Sequence, residues 1–184
     1  DRLALVQKSD QAVKRTSVLL AQEALVTLSK DKNFSTLAGP ASRLFARKLV
    51  MLQLNKPGMI LAHKLALLTT EYKTVAHRLK LISDQFGIEI ATATGDFSTF
   101  KPKTPLEETI YEGFVQPRIP YAIKTLLEQG KLGEVILTAI IQFYKGEAGD
   151  LQDMLDALST LRLIGLEDTA RRAVLHHLIV NYHD

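Results

Sequence analysis

The side chains in this chain that could do chemistry are five histidines and a few clusters of charge. His176 and His183 lie seven residues apart, so a continuous helix would put them on one face, beside the carboxylate of Asp184. A zinc-type site needs three or four protein ligands, and the nearby sequence offers no more than this set. The competing reading is a solvated chain end, and we assign no metal ligand. His177 falls in register with Ala170, Ala173, Val174 and Leu178. That stripe predicts a core histidine held by a hydrogen bond, not a catalyst. The other two histidines are His63 and His77. Glu107 and Glu108 are adjacent, but a first helical turn already explains them, through capping and the helix dipole.

Other chemistry has no signature in the chain. With no cysteine there is no thiolate nucleophile, thiolate metal site or disulfide framework. There is no HExxH and no G-x-S-x-G elbow. Gly130-Lys131-Leu132-Gly133 lacks the spacing of a phosphate-cradling loop. We therefore expect no cofactor and assign no catalytic residue. An enzyme whose site is assembled from distant helices is the alternative.

Charge is more informative. Residues 43–80 carry eight bases, namely Arg43, Arg47, Lys48, Lys56, Lys64, Lys73, Arg78 and Lys80, against the single acid Glu71. Residues 104–170 reverse the balance, with eleven acids and five bases, so the net charge of +3 hides a dipolar chain. Such asymmetry is met by solvated helix faces, by self-association or by a partner of acidic surface. Arg43 and Arg47, at i and i+4 with Lys48 beside them, are expected to share a face. Nucleic acid is the weaker partner: Tyr72 is the single aromatic after Phe45 in the basic stretch, too few for stacking on bases. An anionic membrane surface remains a third reading.

The elements that must position these residues read as helices. With 46% hydrophobic and 23% charged residues, 184 residues suffice for one ordinary domain. The longest candidate for a membrane span, Val135 to Ile141, is far below the roughly 20 residues needed. The chain begins at Asp1, so we expect a processed or trimmed protein, and its compartment is left open, export included.

One or two helices are expected over residues 1–32, and another opening at Gly39-Pro40 with Leu44, Phe45, Leu49 and Leu52 on its inner face. After the turn Asn55-Lys56-Pro57-Gly58, helices follow over 59–68 and 70–86, the latter stopped by Gly87. Residues 88–104 alternate Ile88, Ile90, Thr92 and Thr94 with other types, which predicts an extended linker or a binding loop between residues 1–87 and 105–184. Thr104-Pro105 restarts helix, and Asp150 caps a later one. Pro120–Gln129, Leu132–Tyr144, the segment ending at Gly165 and the one opening at Glu167-Asp168 complete eight to ten short helices. The fold class is all-α, with antiparallel helical hairpins stacked as a short solenoid or an irregular bundle.

Leu127, Gly130, Leu132, Glu134 and Ala139 are echoed about 34 residues later by Leu161, Gly165, Leu166, Asp168 and Ala173. Residues 127–180 resemble tetratricopeptide-type helical hairpins in this period and in their small residues, although the tryptophan of that pattern is absent. Leu158 to Ala173 is also similar to C-terminal segments of uncharacterised alphaproteobacterial helical-repeat proteins. The resemblance implies a bacterial scaffold and supplies no catalytic residue. The function expected is a non-catalytic adaptor for another protein. Its contacts are placed on Arg43, Arg47, Lys48, Lys64 and Arg78, and on Tyr121 and Tyr144 as aromatic anchors.

Overall fold

The structure, a computed structural model, describes residues 17–27, 30, 34–82 and 86–181. They form helices throughout: α1 over residues 17–27, α2 Phe34–Leu49, α3 Lys56–Leu67, α4 Tyr72–Ile82, α5 Gly87–Thr94, α6 Pro105–Val115, α7 Tyr121–Glu128, α8 Leu132–Glu147, α9 Leu151–Leu163 and α10 Glu167–His176. A single π-helical turn, His177–Asn181, ends the described chain. No strand occurs among the described residues, and the fold is all-α. None of the described helices is long and apolar enough to cross a membrane. The chain divides into two compact units, Asp1–Ile82 and Ser83–Asp184.

In unit 1, α2 packs on α3 and α3 on α4. The contacts are built from small residues. Ala38, Ala46, Ala62 and Ala76 are fully buried, with Leu65, Leu67, Tyr72 and Leu79 filling the space between them. The expected turn at Asn55 is drawn into the start of α3, where the Asn55 carboxamide oxygen accepts from the Gly58 N–H at 2.9 Å and Pro57 occupies the first turn. Proline suits that position because the N–H it lacks would have no helical partner there. Pro40, expected to open α2, instead lies inside it. Nearby, the Ser42 hydroxyl donates to the Gly39 carbonyl at 2.8 Å.

Unit 2 is organised around α9, which packs against α8, α6 and α10. The α6–α9 contact joins two helices that have the α7–α8 hairpin between them in sequence. The echo of 34 residues keeps its turns but not its burial. Gly130 and Gly165 both take positive φ, whereas Ala139 is fully buried and Ala173 half-buried. Two glycines set the spacing around α9: a Cβ on Gly146 would lie 2.5 Å from the Met154 Cβ, and one on Gly113 2.8 Å from the Leu158 Cβ.

Residues 87–94, read above as extended, are helical. Ile88, Ala91 and Thr92 are buried at i, i+3 and i+4 in a helix packed on α10, and that tertiary burial overrides the β-branched alternation. Gly87 opens this helix, and the left-handed stop is Gly95, with φ of 74°. The following loop is anchored within unit 2 by its aromatic side chains. Phe97 is buried and stacked on Phe114 at 5.6 Å, with Phe100 and Tyr111 edge-on at 6.2 and 6.0 Å. Thr104 caps α6 as expected, accepting from the Glu107 N–H at 3.2 Å, while the Glu107 carboxylate reaches back to the Lys103 amide. Asp150 likewise caps α9, accepting from the Asp153 N–H at 3.0 Å.

Candidate functional site

A concavity lined by described residues lies in unit 1. It is a groove of about 540 Å³ between α1 and α2, with Leu65 of α3 in its floor. Ala21, Ala24 and Leu25 line one wall, and Leu37, Pro40, Ala41, Leu44, Phe45 and Leu49 the other. The surface is hydrocarbon throughout except for Lys48. Its size falls in the range of ligand pockets, and it has room for several large side chains.

The groove follows from the sequence of α2. Ala38, Ser42 and Ala46 recur at i, i+4 and i+8 and bury the inner face. Such short side chains bring α3 close and leave Leu37, Leu44 and Phe45 turned outward. Leu44 is 66% exposed and Phe45 53%. These two were expected in the core; the structure places them at the groove instead. The alanine-and-serine stripe that displaces them was the signal available in the sequence.

The predicted basic residues are split by this arrangement. Arg43, Arg47 and Lys48 are all exposed on α2. Lys48 lines the groove, while Arg47 bonds to the Glu71 carboxylate. Arg47, Glu71 and Arg78 line a separate cleft of about 160 Å³ with Met51, Thr74 and Val75. The expectation that Lys48 shares the face of Arg47 therefore fails, because one residue step turns a helix by about 100°. Lys64, on α3, is half-buried and lies in neither lining.

In unit 2, Tyr121 on α7 and Tyr144 on α8 stand 85% and 76% exposed. The other aromatics of these hairpins turn inward, with Phe114 buried and Phe143 packed against the core. Beside Tyr144, α8 also exposes Leu137, Ile140 and Ile141. The run Val135–Ile141 announced this, since one helix face cannot hide six apolar residues within a stretch of seven.

The histidines hold no shared site among the described residues, where no three His, Asp or Glu side chains converge to hold a metal. His176 is exposed, and His183 and Asp184 lie outside the described residues. His177 is buried, with its Nδ1 3.6 Å from a Glu147 carboxylate oxygen. Burial pushes its imidazole below the ordinary histidine range, and Glu147 pulls the other way. His63 is buried too, its Nδ1 2.7 Å from the Met59 carbonyl oxygen, a contact within one helix turn. On α9, burial raises the Asp156 carboxyl above its usual range, against a hydrogen bond from Gln152 at 2.9 Å. Compared with protein families, curated proteins and solved structures, the chain matches none of them.

Proposed function

We propose that the chain is a non-catalytic interaction domain whose unit 1 groove takes the apolar face of an acidic amphipathic helix from a partner protein. The observation that supports this is the pairing of an apolar groove with a helix, α2, that carries Arg43, Arg47 and Lys48 and no acid. Helices seat in such grooves through anchors at i, i+3 or i+4, and i+7. Covering Leu44 and Phe45 contributes about 1.5–3 kcal/mol each when burial is complete. Cations at the rim raise the encounter rate and select the sign of the partner more than they add affinity. Arg47, already engaged by Glu71, adds less to that selection than Arg43 and Lys48.

The test is fluorescence anisotropy with a synthetic helical peptide bearing leucine and phenylalanine anchors and glutamate on both flanks. The expected Kd is about 1–100 μM, weakened about tenfold by Phe45→Ser. Lys48→Glu should weaken it a few-fold, with a shallower salt dependence. Absence of binding, or equal binding of a lysine-flanked peptide, overturns the reading.

A second reading draws on the same helix. A basic helix with exposed Leu44 and Phe45 also suits an anionic lipid surface. Co-sedimentation with vesicles of anionic phospholipid, without peptide binding, would put that reading first.

A further inference from the structure

Helix α8 is apolar on two opposite faces. Val135, Ala139 and Gly146 turn inward, and α8 packs on α9. Leu137, Ile140, Ile141 and Tyr144 fall on the other side at i, i+3, i+4 and i+7, and all four are exposed. A surface helix ordinarily carries its apolar residues in one stripe facing the core, so a second stripe opposite the first marks an uncovered face. This face belongs to unit 2 and owes nothing to the groove of unit 1.

We propose that the face is covered by α8 of a second copy of this chain, packed antiparallel about a two-fold axis near residues 139 and 140. The flanking charges select this occupant. Glu134 and Lys145 lie on the same edge of the stripe, 58% and 61% exposed, and are about 16 Å apart along the axis. Antiparallel pairing brings each Glu134 across from Lys145 of the other copy, twice over. Parallel pairing would carry the two charged edges to opposite sides of the seam, where Glu134 and Lys145 meet neither each other's copies nor their own. The stripe between them carries no charge, so a second copy buries no unpaired ion. Glu134 pairs with Lys131 at 3.6 Å and Lys145 with Asp153 at 3.4 Å within the chain. Such exposed pairs are weak enough to exchange. A two-fold contact uses one patch twice, the commonest way for a soluble chain to self-associate. The stripe is small, so dissociation is expected at micromolar concentrations.

Sedimentation velocity on the full chain, from about 1 to 300 μM, reads the equilibrium across the expected range. A monomer–dimer shift is expected. Ile140→Glu should abolish it with the thermal midpoint of the monomer unchanged, as fits an exposed position. Glu134→Lys and Lys145→Glu should each weaken the dimer about tenfold, and the double swap should restore it. The absence of native cysteine makes a single introduced thiol a clean reporter of orientation. Under oxidation Ile140→Cys should cross-link to itself, whereas Tyr144→Cys, about 13 Å from its own copy along the axis, should not. A chain monomeric throughout, a dimer that ignores Ile140→Glu, or equal cross-linking at both positions each overturns the proposal.

Discussion

The two units spend their apolar side chains differently. In unit 1 the inner face of α2 is made of alanine and serine, and large residues such as Leu44, Phe45 and Met51 stand outside. In unit 2 the contacts around α9 are filled by Phe97, Phe114, Leu158 and Met154, with glycine only where helices approach most closely. Close approach through small residues brings backbones together, but it leaves bulky neighbours on the same helix with nothing to cover them. Filling the interface with rings instead closes the space around α9, and the large side chains left outside stand on the far face of α8, away from that core. The groove of unit 1 and the closed core of unit 2 are thus two outcomes of one choice, which residue size is placed at the helix contact.

That contrast breaks first at a phenylalanine in each unit. Phe97→Ala should destabilise the chain by about 3–5 kcal/mol in urea denaturation, the cost of an emptied aromatic site. Phe45→Ala should change stability by no more than about 0.5 kcal/mol, as for an exposed position. Comparable losses at both would mean that the unit 1 groove is a closed core in solution.

A sharper test sits on one helix. Gly146→Ala should cost about 1–3 kcal/mol, because its Cβ would meet the Met154 backbone Cα at 2.8 Å. Gly133→Ala, on the same helix with nothing within 4 Å, should gain about 0.5–1 kcal/mol from helix propensity alone. Thermal midpoints of opposite sign confirm that α8 is packed to contact on one side only, and a gain at both would show that α8 and α9 stand further apart.

The smallest effect belongs to His177. Its folded-state pKa lies below the unfolded value of 6.5, so the unfolded chain takes up the proton first as pH falls. Stability is complete above about pH 7 and is lost as pH drops through and below 6.5. His177→Gln should flatten the decline of the thermal midpoint between pH 7 and 5.5. An unchanged slope would assign that decline to other groups.

Local chemistry was the part of the fold that the chain announced. Thr104-Pro105 and Asp150 open helices where expected, because a cap is settled within four residues. Residues 87–94 were misread for the opposite reason. The helical spacing of Ile88, Ala91 and Thr92 is too short to outweigh the alternating β-branched pattern until α10 covers it. Charge placement was legible as composition but not as geometry. Arg43, Arg47 and Lys48 sit on one helix as read, yet the turn between neighbours sends Lys48 to the groove and Arg47 to Glu71. Tyr121 and Tyr144 could not be told from core aromatics by type alone. Their exposure depends on which side of each hairpin unit 2 closes upon.

The contact between α6 and α9 has a consequence for synthesis. Unit 1 has its whole sequence by Ile82, but α6 cannot cover its inner face until α9 has been made, about fifty residues after Val115. At roughly 5–20 residues per second, Leu106, Ile110 and Phe114 wait about 2–10 s on the ribosome for their partner. During that interval the nascent α7–α8 hairpin also has both apolar faces of α8 uncovered. The period of greatest exposure to chaperones and to misassembly therefore falls while α7 to α9 are being made, within unit 2.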